Sequence, residues 1–147
     1  MGEAVLLGDG LCSLRLFGSV VREQQIIAYN MLKQIETAIL RVEQRVETIH
    51  CSDDFLLTPL GMEKLESVCM LLIAIGEGLK NVDKQTNGEL LPLYPSVPWK
   101  DIKGMRDIIA HHYFDIDAEE VYNIVTEELP PLLVGVRFLI YHLDESM

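Results

Sequence analysis

From Ala28 onward, apolar residues recur at alternating steps of four and three: Ala28, Leu32, Ile35, Ile39, Val42, Val46 and Ile49. Side chains spaced this way share one face of an α-helix, so the pattern predicts a long amphipathic helix buried along that stripe. Lys33, Glu36, Arg41, Glu43, Arg45 and Glu47 fall between the apolar positions and form its wet face, and Cys51-Ser52-Asp53-Asp54 is expected to end it. A second helix opens at Thr58-Pro59, with Thr58 as N-cap and Pro59 in the first turn, where its missing N–H costs nothing. Its stripe is Leu65, Val68, Leu72, Ile75, Leu79 and Val82, and Asn87-Gly88 closes it. Gly76 and Gly78 each cost this helix roughly 1 kcal/mol relative to Ala. Two such residues in one turn predict the close approach of another backbone or of a ligand.

A Pro-containing loop of about ten residues leads to Pro98. The third helix is expected from there to about His112, with Trp99, Ile102, Met105 and Ile109 inward. Asp117-Ala118-Glu119-Glu120 has the acid and N3 Glu of a capping box and opens a fourth helix, which Pro130-Pro131 must interrupt. A last segment, Leu132 to about Leu143, carries Val136, Leu139 and Ile140. No strand pattern competes after residue 25, so the fold class is all-α, an antiparallel bundle of four to five helices. Residues 1–22 read differently, with four glycines and a strand-like Leu14-Arg15-Leu16-Phe17. They are expected to form a non-helical or degenerate N-terminal extension to a helical domain at 23–147.

Composition narrows the choices. At 147 residues with 49% apolar and 24% charged, the chain is one globular domain with enough material for a core. Its longest apolar run, Val68 to Ile75, is far shorter than the roughly 20 residues of a membrane span, and no basic-then-apolar leader opens the sequence. Cys12, Cys51 and Cys69 are odd in number and lack Cys-x-x-Cys spacing, which disfavours a disulfide framework or zinc site and fits a reducing cytoplasm. A formal charge of −11 argues against coating of nucleic acid by bulk electrostatics. Any such contact must be local, and between Lys80 and Arg106 five basic residues face three acidic ones.

One segment concentrates the chemistry. Pro98-Trp99-Lys100-Asp101-Ile102-Lys103-Gly104-Met105-Arg106-Asp107-Ile108-Ile109-Ala110-His111-His112-Tyr113-Phe114-Asp115-Ile116-Asp117 holds an arginine, two histidines and a tyrosine within an apolar helical pattern. The spacing is Arg-x4-His-x-Tyr. With its flanks, and with Ile75-Gly76-Glu77-Gly78-Leu79-Lys80-Asn81, it resembles the HEPN superfamily, specifically the HepT-like toxins that pair with a minimal nucleotidyltransferase antitoxin. The resemblance implies a ribonuclease toxin of a type VII-like pair, a homodimer with a composite cleft, and no cofactor. It implies that Arg106 and His111 are catalytic, and that Tyr113 receives AMP from the partner. Leu16-Phe17-Gly18-Ser19-Val20-Val21-Arg22 further resembles the start of a nucleotidyltransferase signature. Ala28, Tyr29, Asn30 and Met31 stand where its metal carboxylates would be, so residues 1–22 read as a vestigial fragment, as the product of a misplaced start codon, or equally as inert sequence.

The residues themselves set conditions on that chemistry. At about 100° per residue, Arg106 and His111 lie roughly 140° apart around a helix. They meet only if the helix frays before His111 or if a two-fold copy supplies one of them. Asp107 and His111, four apart, share a face, where the carboxylate can orient the imidazole and favour its charged form. An imidazole beside a fixed guanidinium can cleave RNA without a metal. The bland alternatives are a surface ion pair for Arg106, packing for His111 and His112, and a surface anchor for Tyr113, all in a catalytically inactive helical module that binds nucleotide or protein. Glu77 and Trp99 read as supporting residues. Glu47-Thr48-Ile49-His50 matches one half of a di-iron Glu-x-x-His pair but has no second copy, and neither Cys51 nor Cys69 has a base nearby in sequence.

Overall fold

A computed structural model of the chain describes residues 20–111 and 114–147, with the side chain of His111 outside the described atoms. The extension at 1–19, including the strand-like Leu14–Phe17 and Gly18-Ser19, lies outside the described residues. Helix α1 spans Arg22–Arg45, and its Ala28, Leu32, Ile35, Ile39 and Val42 are all buried, as the periodicity predicts. The helix ends earlier than its apolar stripe. Val46 is its C-cap, and the amides of Glu47 and Ile49 turn back to the carbonyls of Gln44 and Val46. Ile49 still reaches the core, now from a turn. That turn is held from outside the helix: the Asp54 carboxylate accepts from the His50 N–H at 2.7 Å, and the Tyr122 hydroxyl donates to the His50 carbonyl at 2.8 Å. The Cys51–Asp54 stretch, expected only to end α1, runs into a helix of its own, α2 (Asp53–Leu56), which buries Phe55.

Helix α3, Pro59–Gln85, is the centre of the bundle. The Thr58 hydroxyl accepts from the Gly61 amide at 2.9 Å, as expected of the cap. Leu65, Val68, Leu72, Ile75, Leu79 and Val82 are essentially inaccessible. Gly61 is required by space: a Cβ there would collide with the Asp54 carbonyl oxygen and stand 3.0 Å from that of Phe55. Asn87 and Gly88, both at positive φ, end the helix, the Gly88 amide closing on the Asp83 carbonyl.

The expected third helix is two. α4 (Trp99–Lys103) and α5 (Met105–His111) meet at Gly104, and Trp99, Ile102, Met105 and Ile109 all point into the core. The Trp99 indole donates to the Tyr94 carbonyl at 2.9 Å, tying α4 to the preceding loop. α6 (Ala118–Asn123) is capped by the Asp117 carboxylate, which accepts from the amides of Glu119 and Glu120.

Pro130-Pro131 do interrupt the α-helical register, but without a loop. A π-helical turn, Ile124–Glu128, joins α6 to α7 (Leu129–Ser146). Two successive prolines remove the amides that would bond residues 126 and 127, and their rings crowd those carbonyls. Widening the preceding turn relieves both problems, and the Thr126 hydroxyl turns back to the Tyr122 carbonyl. α1 packs along both α3 and α7, and α4, α5 and α6 close over α3. Among the described residues there is no strand.

Candidate active site

Gly76 explains how the motif is placed. A Cβ on this residue would touch the carbonyl oxygens of Ile102 and Lys103 and the amide of Arg106 at 3.4–3.6 Å, so the α4–α5 junction rides directly over it. The close backbone approach expected of this glycine is therefore its role. Gly78 differs, since its absent side chain makes room for the Ile35 side chain.

That crossing delivers Arg106 to the exposed flank of α3. Its Nε lies 3.7 Å from Glu77 Oε2 and its Nη1 lies 3.5 Å from Asp107 Oδ1. Glu77 Oε2 is shared with Lys80 Nζ at 3.4 Å. One turn further along, Lys103 Nζ bonds Asp83 Oδ2 at 2.8 Å. The Arg106 side chain is 48% exposed and Glu77 equally so. Pairs this wet contribute at most about 1 kcal/mol each. They orient the guanidinium without burying it, and it stays open to an anion. The surface ion pair expected as the bland role of Arg106 is present.

Arg106 and His111 belong to one helix, and α5 extends through His111, so fraying before that residue does not bring them together. The side chain of His111, and His112 and Tyr113 entirely, lie outside the described residues, and the expected pairing of Asp107 with His111 lies outside them too. Past the motif, Phe114 is 97% exposed. Asp115, Asp117, Glu119 and Glu120 then line an open groove shared with Ser52 and Asp53 of the α2 corner. The motif thus meets α3 through paired charges, while an acidic groove lies on its α2 and α6 side.

Of the other candidates, Glu47–His50 is the turn that α2 and α6 grip. Among the described residues no group of three or more His, Cys, Asp or Glu is gathered as a metal site would need. Cys69 is buried, and that burial pushes its thiol up to about 11, which leaves it inert as a nucleophile. Cys51 is exposed. Glu77 gains weight over its sequence reading, as the carboxylate through which α3 holds Arg106. Its signal in the sequence was its place between two glycines. Among the described residues no helix is long and apolar enough to cross a membrane.

A family model described as ribonuclease HepT-like matches residues 35–138, which span α1 to α7 and include Glu77 and the whole motif. The chain belongs to the HepT-like family. It is 32% identical over 101 residues to the "Probable ribonuclease HepT" of Thermococcus cleftensis, a match covering 69% of this chain and 84% of that protein. It is 37% identical over 65 residues to the "Putative RNase MJ0127" of Methanocaldococcus jannaschii, covering 44% of this chain and 50% of that one. A third relative, "Putative RNase TTE0752" of Caldanaerobacter subterraneus subsp. tengcongensis, is 38% identical over 63 residues, 43% of this chain and 53% of its own. The match thus spans only about half the length of the latter two relatives. No solved structure matches the chain significantly. Membership agrees with the all-α bundle and places this HepT-like chain in the superfamily that its motif resembles.

Proposed function

We propose that this HepT-like chain is a metal-independent endoribonuclease, the toxin of a toxin–antitoxin pair, and that residues 23–147 carry the activity. The observation that carries the proposal is the Arg106 guanidinium, held half-exposed over α3 by Glu77 and Asp107, five residues before His111 in a chain of a ribonuclease family. In this scheme the 2′-hydroxyl oxygen bonds to phosphorus as its proton passes to an imidazole, and the P–O5′ bond breaks as the 5′-oxygen takes a proton from an imidazolium, leaving a 2′,3′-cyclic phosphate. Arg106 holds the non-bridging oxygens as their negative charge grows.

Because Arg106 and His111 diverge by roughly 140° on one helix, a two-fold dimer completes the cleft, each protomer giving an arginine toward the other's histidine. Asp107, on the His111 side of the helix, steadies the imidazolium. Tyr113 is seven residues after Arg106 in the sequence. AMP transferred there by a minimal nucleotidyltransferase antitoxin would place a phosphate against Arg106 and occupy the cleft. The cytoplasm, where RNA and such a partner meet, is the compartment this requires.

The deciding experiment is cleavage of a mixed tRNA and mRNA pool in excess EDTA by unmodified wild type, Arg106→Ala and His111→Ala. Wild-type cleavage, with losses of about 10²–10³ in each variant at equal helicity, is the expected result. Silence from an unmodified wild-type chain would favour the catalytically inactive module that binds nucleotide or a protein partner.

A further inference from the structure

We infer that the flank of α3 and α4 beside Arg106 is the bed on which the RNA strand lies, with Lys80, Lys84 and Lys100 holding the phosphates on one side of the scissile bond. The inference rests on the ribonuclease reading for the position of that bond. It goes beyond it in assigning a binding surface and a direction to the strand.

The chain carries 12 basic residues against 23 acidic ones, and five of the 12 fall within Lys80 to Arg106. These five come from two stretches separated by the loop, and the packing of the α4–α5 junction over Gly76 sets the two stretches side by side. Two contacts register the stretches: Arg106 and Lys80 share the Glu77 carboxylate, and Lys103 bonds Asp83. Along α3, Glu77 and Lys84 are seven residues apart and so within about 20° of one another, with Lys80 between them. The flank that Arg106 reaches therefore continues past Lys80 to Lys84, each step about 5 Å along the helix. On α4, Lys100 precedes Lys103 by one turn on the side away from the buried Trp99 and Ile102. Lys84 and Lys100 are exposed and form no ion pair among the described residues.

The comparison with the other basic residues is what makes this surface distinctive. Lys33 and Arg137 are committed to Glu36, whose side chain is only 17% exposed and whose carboxyl is held below its usual range chiefly by the Arg137 hydrogen bond. Lys64 donates to the Thr48 hydroxyl, and Arg45 to the Arg41 carbonyl. Beside Arg106, Glu77 is half-exposed, so an arriving phosphate can replace it on Lys80 with little desolvation cost, whereas Lys103 is tied to the less exposed Asp83 and serves to register α4 on α3. Beyond the other end of α5, the groove of Asp53, Asp115, Asp117, Glu119 and Glu120 repels phosphate. The strand is thereby steered from Arg106 toward Lys84 and Lys100 within each protomer.

The test is steady-state cleavage of a single-stranded RNA oligonucleotide by wild type, the double variant Lys84→Glu/Lys100→Glu, and the control Arg41→Glu/Arg45→Glu, together with anisotropy binding of the same oligonucleotide in uncleavable 2′-O-methyl form. The double variant should raise KM and weaken binding by about tenfold with kcat within about twofold, and flatten the salt dependence by about 0.7 in log–log slope for each phosphate that is no longer neutralised. The control should change little. Unchanged affinity in the double variant, or an equal loss in the control, overturns the bed. A wild type that binds the uncleavable strand through Lys84 and Lys100 but never cleaves keeps the bed and removes the ribonuclease reading. A wild type that binds no RNA removes both.

Discussion

Helices α3 and α5 cross at Gly76 and are built on opposite terms. α3 is 27 residues long, capped at its start by Thr58 and closed by Asn87-Gly88, and six of its apolar residues are at most 1% exposed. α5 has seven residues, leaves Ile108 42% exposed, and ends at the motif's first histidine. A segment this short is marginal as a helix by itself and is held by the α3 surface beneath it. The difference teaches where each kind of free energy is kept. Folding stability resides in α3 and its partners, while α5 presents polar groups that the core does not use. Loss of function and loss of stability should therefore separate cleanly between the two helices.

The strongest form of that separation is a double dissociation. Arg106→Ala should lower cleavage by about 10²–10³ while melting with wild type, because its wet ion pairs contribute at most about 1 kcal/mol. Leu72→Ala, at a position with 0% exposure, should do the reverse. It leaves a cavity at the centre of the bundle and should cost about 2–5 kcal/mol in denaturant unfolding, with kcat preserved at temperatures where the variant is folded. A Leu72→Ala protein as stable as wild type, or an Arg106→Ala protein that melts far earlier, would show that the two helices share one role.

Much of this was legible in the residues. The stripes of α1 and α3, the Thr58 and Asp117 caps, and the inward set Trp99, Ile102, Met105 and Ile109 follow from period and capping chemistry, which are local. The misses depend chiefly on partners distant in sequence. α1 stops at Arg45 although Val46 and Ile49 continue its pattern, since Tyr122, 72 residues beyond His50, and Asp54 claim the following backbone. The break at Gly104 exists because α3 leaves a notch at Gly76 for it. Pro130-Pro131 announced an interruption, but whether the chain would loop or widen into a π turn depended on α7 having a continuous face, Leu129 to Leu143, to bury. At the site, Arg-x4-His pointed to the segment, whereas the pairing of Arg106 with Glu77 and the gathering of lysines around it arise only from the crossing of two helices.

A smaller effect tests the segment that links the two regions. Asp117 caps α6 through the amides of Glu119 and Glu120, and α6 closes the acidic side of the motif. Asp117→Ala should cost about 1 kcal/mol of unfolding free energy, while Asp117→Asn or Asp117→Ser should restore most of it. Equal losses in all three would assign the effect to charge in the acidic groove instead of to the cap.

The smallest effect is a pH dependence of the stable region alone. His142, on α7, stacks against Phe138 with ring centroids 6.3 Å apart, and burial holds its imidazole below the usual histidine range. The folded state therefore binds a proton less readily there than the unfolded chain, whose histidine titrates near 6.5. Above that value both states are neutral and the stabilisation is intact. As pH falls below it, the unfolded state takes up the proton first and stability declines, until the folded-state value is passed and the loss levels off. Thermal melts of wild type and His142→Gln at pH 7.5 and 5.5 isolate this contribution, since all other titrating groups are common to both proteins. Wild type should lose more Tm on acidification than the variant. Parallel losses would mean that the Phe138–His142 stack accepts the charged ring without penalty, and that α7 is wetter at its C-terminal end than its burial indicates.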